Sequence, residues 1–171
     1  MDTTAFMTLA LACAPAVHID TARALVEVES ALNPWAIGVV GGAVVRQPRH
    51  RAEALATARA LQASGWNFSV GLGQINARNF HRLGLTLETA FEPCSNLAAM
   101  QAVLTECHDR ASASAGSEQR ALQRALSCYY SGDFSTGFLH GYVQRVINAS
   151  ATSRRPASPP PVLNRNPKEK P

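Results

Sequence analysis

The sequence has no run of 18 apolar residues, so it contains no helix built to span a bilayer. Charge is scarce, at 16% of the chain, but 46% of the residues are hydrophobic, which excludes compositional disorder and allows a real core. Lysine is absent from residues 1–152, where 11 arginines balance 11 acids. The whole net charge of +4 falls in residues 153–171, where Arg154, Arg155, Arg165, Lys168 and Lys170 face Glu169 alone. A nucleic-acid partner is therefore not expected, because counterion release needs several cations on one folded surface. There is no CxxC pair and no histidine at zinc-finger spacing, so no metal site is expected.

What is present fits one domain, given a length of 171 residues. Residues 151–171 hold a cluster of prolines and few apolar side chains, and read as a Pro-rich, basic, flexible tail. Residues 1–17 form an apolar N-terminal segment. Ala10-Leu11-Ala12 resembles a cleavage site after small residues, but Asp2 stands where an export signal carries positive charge. The segment is either an export signal or a first helix packed on the domain. Residues 18–150 are the folded domain.

That domain reads as mainly α, α+β at the margin. Asp20 is placed to cap a helix from Thr21 to near Asn33, with Ile19 as a hydrophobic staple and Pro34 as the stop. The β-branched runs on either side of Gly41-Gly42 suggest a small hairpin. Pro48 opens a second helix through Ser64, Ser95 caps a third to Ala111, and Ser117 caps a fourth to Tyr130. A last helix runs from Phe138 to Ala149. Residues 66–76, with glycines at 71 and 73, are extended or irregular.

Four widely spaced cysteines, Cys13, Cys94, Cys107 and Cys128, suit two disulfides in an oxidising compartment, or else four buried thiols. If Cys94 and Cys107 sit on one helix, the rise separates them by about 20 Å, too far to bridge. In an antiparallel hairpin of the third and fourth helices, Cys128 descends toward Cys94. The expected pairing is Cys94–Cys128, which leaves Cys13 for Cys107.

The first helix carries the main chemical signal. At about 100° per residue, Ala22, Leu25, Val26 and Glu29 share one arc, while Glu27 projects nearly opposite. Glu29 thus lies on the face to be buried. Desolvation disfavours a carboxylate and raises its pKa, which is how a carboxylic acid stays protonated near neutral pH and serves as a general acid. A structural pairing of Glu29 with an arginine is the alternative.

The surrounding segments carry a resemblance. Glu29-Ser30-Ala31-Leu32-Asn33-Pro34, Gly71-Leu72-Gly73-Gln74-Ile75-Asn76, Ala125 to Gly132, and Tyr142 to Val146 resemble, in order, four motifs of lytic transglycosylases of the goose-lysozyme-like superfamily. Ser69 to Phe80, Phe91 to Leu97 and Leu126 to Gly132 are more similar still to the members serving bacterial type IV secretion and conjugation systems. Gly73 stands where many members have methionine, and Tyr130 where many have asparagine.

The resemblance implies a lysozyme-like helical domain with a small β-hairpin, in a periplasmic or exported protein. It implies cleavage of the β-1,4 bond between N-acetylmuramic acid and N-acetylglucosamine in peptidoglycan, with a 1,6-anhydromuramyl product and no cofactor. Components of the secretion machinery are the implied partners. Glu29 is the implied catalytic acid and base. Ser30 either orients Glu29 or bonds its own helix backbone. Gly71 and Gly73 either keep the cleft open to sugar or serve turn geometry. Gln74 can bind hydroxyl and N-acetyl groups, and Asn76 can do so or cap a helix. Tyr129 and Tyr142 either flank the reacting carbon or fill the core, and Trp35 and Trp66 either line the cleft or pack inside. Asn33 ends the helix and Asn96 holds a loop. The alternatives are a lysozyme-type hydrolase on the same fold, or a catalytically weak cell-wall-binding assembly module.

Overall fold

The computed structural model describes residues 1–153, and the tail beyond them lies outside the described residues. Eight helices and one three-stranded antiparallel sheet make up the described chain. Helix α1 spans Thr3–Cys13 and α2 Ile19–Ser30. Strand β1 (Ile37–Val39) precedes α3 (Arg51–Ala63), and β2 (Phe68–Val70) and β3 (Ile75–Asn76) follow. Four further helices complete the domain after the short α4 (Leu87–Ala90): α5 (Pro93–Ser112), α6 (Glu118–Ser131), α7 (Thr136–Leu139) and α8 (Tyr142–Ser153).

Two helix pairs organise the core. Helix α5 packs on α6, and α2 packs on α8. Between them Phe6, Leu25, Phe68, Leu72, Phe91, Met100 and Tyr142 are almost entirely removed from water. Each such side chain stabilises the fold by about 1.5–3 kcal/mol relative to leaving it exposed.

Several helix starts differ from the sequence reading. His18, not Asp20, caps α2, its Nδ1 accepting the Asp20 N–H at 3.3 Å, so Asp20 sits in the first turn beside the positive end of the helix. Helix α5 begins at Pro93 rather than after Ser95, because proline at the first helical position lacks an N–H that would have no partner. Pro48 lies ahead of α3, which His50 caps. The last helical stretch is two helices broken at His140–Gly141. Ser117 does cap α6, accepting from the Arg120 N–H, and Gly132 closes it in the left-handed conformation.

Helix α2 ends at Ser30, three residues before Asn33. Ala31 and Leu32 both adopt left-handed backbone, at φ 50° and 60°. Asn33 Oδ1 then accepts the Trp35 N–H at 2.9 Å and shapes the exit.

The expected hairpin around Gly41-Gly42 does not form. Strand β1 pairs instead with β2, with Ile37 opposite Val70 and Val39 opposite Phe68, and β2 continues into β3. The β-branched run after Gly42 takes no part in the sheet, and Val45 projects into solvent. Burial of Ile37, Phe68 and Val70 favours the distant partner over the local one.

The N-terminal segment is a helix with Phe6 and Ala10 buried on the domain. Its last residue, Cys13, is bonded to Cys94, and Cys107 is bonded to Cys128. This corrects the expected Cys94–Cys128 and Cys13–Cys107 pairing. Cys107 and Cys128 lie level with one another across the α5–α6 pair, their Cα atoms 5.7 Å apart, while Cys94 lies about 20 Å further along α5, where the end of α1 meets it.

Non-reducing peptide mapping should recover Cys13 linked to Cys94 and Cys107 linked to Cys128. Replacing Cys13 and Cys94 by serine should cost about 2–5 kcal/mol in chemical denaturation, because the bond closes a long arc of chain. An unchanged midpoint would contradict this role.

Candidate active site

A cleft of ≈ 280 Å³ opens beside the C-terminal end of α2 and is lined by Glu29, Ser69, Gln74, Asn76, Tyr129 and Tyr130, among others. It joins three of the four segments singled out in the sequence. A separate concavity of ≈ 320 Å³ around Val17, Leu104 and Leu122 shares no residue with it and none with those segments. The chemistry-bearing residues decide between the two, and they converge on the Glu29 cleft.

Glu29 is partly buried at the last turn of α2. Tyr142, the first residue of α8, donates its hydroxyl to Glu29 Oε1 at 2.5 Å. Burial pushes the Glu29 carboxyl from its ordinary 4.5 up to about 7, against the opposing effects of the Tyr142 hydrogen bond and the positive charge of Arg145. Burial and the neighbouring carboxylate both raise the Tyr142 phenol, so it stays a donor. Among the described residues, no arginine forms an ion pair with Glu29. Arg23 is engaged by Glu27 at 2.7 Å and by the Ala149 carbonyl at 2.8 Å.

Tyr129 lies on the next wall. Its hydroxyl donates to the Gly73 carbonyl at 2.5 Å, and burial followed by the Glu29 charge raises its pKa. A Cβ on Gly73 would stand 3.0 Å from that hydroxyl and 2.9 Å from Met100 Cβ. The phenol therefore occupies the space that a side chain at position 73 would need.

The turn that presents Gln74 and Asn76 is anchored from beneath by Asn96. Its Oδ1 accepts the Gly73 N–H at 2.7 Å, and its Nδ2 donates to Val70 and Ala90 carbonyls at 3.0 and 2.7 Å. Asn96 is 1% exposed, so these bonds replace the water it lost. Gly71 is required here for a different reason from cleft space. Its φ is +79°, and a Cβ would fall 2.3 Å from Asn96 Nδ2. Gly71 faces the anchor and not the cleft.

Ser30 Oγ donates to the Val26 carbonyl at 3.1 Å, one turn back in its own helix, and does not orient Glu29. Gln74 Nε2 donates to the Ala36 and Gly71 carbonyls, which commits the amide to holding the loop. Its Oε1 stays beside Gly38, where a Cβ would meet it at 2.7 Å. Asn76 caps the short helical turn Ala77–Asn79 and bonds Ser69 Oγ at 3.3 Å, while still lining the cleft. Trp35 packs partly buried against the core, and Trp66 lies half exposed against Gly42, both outside the cleft lining.

The described non-glycine residues with positive φ are Ala31, Leu32 and Gln74. Two follow Glu29 and one lines the cleft, so the backbone strain collects at the site. Ser69, Gly38 and Tyr130 are cleft residues that the sequence reading did not assign. Gly38 and Ser69 come together only through the β1–β2 register, for which spacing carries no signal.

Among the described residues, no group of three or more His, Cys, Asp or Glu is arranged to hold a metal ion, and no helix is long and apolar enough to cross a membrane.

The acid at the end of α2 thus faces a glycine-bracketed turn and is flanked by two tyrosines. Residues 7–147 match the Transglycosylase SLT domain, and the chain belongs to that family. It is 44% identical over 168 residues to the type IV secretion system protein virB1 of Brucella suis biovar 1, covering 95% of this chain and 71% of that protein. The same figures hold for the protein of that name from Brucella abortus biovar 1. Protein virB1 of Agrobacterium fabrum is 35% identical over 145 residues, covering 85% of this chain and 59% of its own length. No solved structure matches the chain significantly.

Two outcomes follow from this geometry. Gly71→Ala and Asn96→Ala should each destabilise the domain by about 2–4 kcal/mol, the first by clash and forbidden φ, the second by leaving three buried backbone groups unpaired. Chemical denaturation reads both, and a loss under half a kcal/mol would contradict the anchor. Glu29→Gln should act in the opposite direction. Between its ordinary 4.5 and about 7, folded Glu29 keeps a proton that the unfolded chain has released, so its contribution to stability falls as pH rises. Above that window the penalty is complete. Glu29→Gln should therefore be more stable than the parent at pH 8, by on the order of 1–3 kcal/mol, with the gain fading toward pH 4.

Proposed function

We propose that this chain is a peptidoglycan lytic transglycosylase that opens the cell wall for a type IV secretion or conjugation apparatus in the bacterial envelope. The observation that carries the chemistry is the isolation of Glu29. It is the one acid among the described residues that line the cleft. Most glycosidases need a second carboxylate within about 5–9.5 Å to serve as nucleophile or to activate water. Asp133 is not available for this. Its oxygens accept from the backbone of Ser135 and Thr136 and from both their hydroxyls, which holds its pKa well below the usual range. Glu92 pairs with Arg51 at 2.9 Å.

One carboxyl group must then do both proton transfers. Tyr142 occupies Glu29 Oε1, which leaves Oε2 to carry the proton toward the cleft. That proton passes to the glycosidic oxygen between N-acetylmuramic acid and N-acetylglucosamine. The C1–O bond breaks and the N-acetylglucosamine side leaves as a neutral alcohol. Glu29, now a carboxylate steadied by Tyr142, takes the proton of the muramyl C6 hydroxyl. O6 attacks C1 and closes the 1,6-anhydro ring. Glu29 ends protonated, ready for another turnover, and no water is consumed.

Support for the cellular role is the similarity to the virB1 proteins, which extends over nearly the whole chain. The partner components within that apparatus are expected to be envelope proteins.

Purified sacculi digested with the protein should release muropeptides with 1,6-anhydromuramyl ends, detected by mass spectrometry as products lacking the mass of one water. Reducing ends alone would overturn the transglycosylase reading. Glu29→Gln should lose activity by at least about 1000-fold with folding intact. The activity of the parent should decline as pH rises through about 7, as the acid is lost.

A further inference from the structure

We infer that Tyr130 is a sugar-stacking platform: its free ring face holds a pyranose ring of the glycan strand beside Glu29. Tyr130 lines the Glu29 cleft and is 42% exposed, a large apolar surface left in contact with water. Its ring is not loose. One face lies stacked on Tyr142 at 4.6 Å between centroids and 21° between planes. Its edge meets His140 at 5.9 Å in a T-shaped contact, and its hydroxyl lies 3.2 Å from His140 Nδ1. With one face covered and one edge pinned, the opposite face is what the residue presents to the cleft.

Chemistry selects the ligand. A planar, electron-rich face without a free charged group suits the axial C–H face of a hexopyranose, whose hydrogens carry partial positive charge. The position adds a geometric reason. The ring covered by Tyr130 belongs to Tyr142, and the Tyr142 hydroxyl holds the acid. A sugar seated on Tyr130 is therefore placed through one rigid stack relative to the group that protonates its glycosidic oxygen. Such preorganisation costs little entropy on binding, because two contacts already fix the ring.

The inference rests on the glycan-cleaving reading above, and the test separates the two. The probe is tri-N-acetylchitotriose, titrated by NMR and calorimetry into the Glu29→Gln protein, which binds without turnover. Sugar ring protons should shift upfield and show cross-relaxation to the Tyr130 ring. This measurement needs no change at position 130. In the same background, Tyr130→Leu keeps apolar bulk but removes the flat face, and should weaken binding by about tenfold or more. Tyr130→Phe keeps the face and loses only the His140 contact, and should recover most of the affinity. Equal affinity in Tyr130→Leu, or contacts to the sugar that omit the Tyr130 ring, overturns the platform while leaving the glycan reading intact. Equal losses in Tyr130→Leu and Tyr130→Phe overturn it as well, since that pattern assigns the effect to the His140 bond. No binding of the oligosaccharide by folded Glu29→Gln protein counts against both readings. Digestion of sacculi by a Tyr130→Leu protein that retains Glu29 should show the loss mainly in KM.

Discussion

The hydrogen bond from Tyr142 to Glu29 joins two helices that meet only because the chain has folded, and the site depends on it. Helix α2 carries the acid on its buried face, and α8 supplies the donor from its first residue. A carboxyl group withdrawn from water is costly in isolation. Here one oxygen is satisfied by a phenol that burial itself keeps protonated, while the other remains for chemistry. Weakening the α2–α8 packing would hydrate the acid and return it toward ordinary carboxylate behaviour. Stability and acidity are in this sense one property of the same contact.

A second layer of structure makes the opposite wall rigid. Asn96, fully out of water on α5, replaces three solvent contacts with three backbone contacts, and the turn after β2 is held by a side chain instead of a longer sheet. That turn tolerates left-handed backbone at Gln74, just as the end of α2 tolerates it at Ala31 and Leu32. Such conformations each cost about 1–3 kcal/mol, and surrounding contacts must over-determine them. Of these, Gln74 lines the cleft, and Ala31 and Leu32 directly follow the acid in the chain.

Much of this was legible in the sequence, for identifiable reasons. The face of Glu29 follows from helical period alone, and the ends of α6 follow from Ser117 and Gly132. The motif order assembled Glu29, the 71–76 turn, Tyr129 and Tyr142 into one site. What failed were inferences that placed local rules above tertiary ones. The valines flanking Gly41-Gly42 looked like a hairpin, yet Ile37 finds its partner at Val70 because both can be buried there. For Gly71 and Ser30 the sequence left a cleft role and a backbone role both open, and each serves the backbone. The cysteine pairing turned on an axial offset of a few residues between α5 and α6, which helix limits placed only to within a turn cannot resolve. Tyr130 was visible only as a departure from a motif, since nothing in a linear sequence shows which ring lies on which.

The link between Cys13 and Cys94 also bears on how the protein withstands proteases. It closes an arc containing α2, all three strands and α3, and within that arc residues 40–47 are almost all exposed. A backbone cut in that stretch would free no fragment. The piece bearing Glu29 and the piece bearing Gln74 would stay covalently tied through sulfur and paired through β1 and β2. The effective concentration of each for the other would remain that of a single molecule. The protein can thus be nicked in this exposed loop and keep both halves of its cleft tied together.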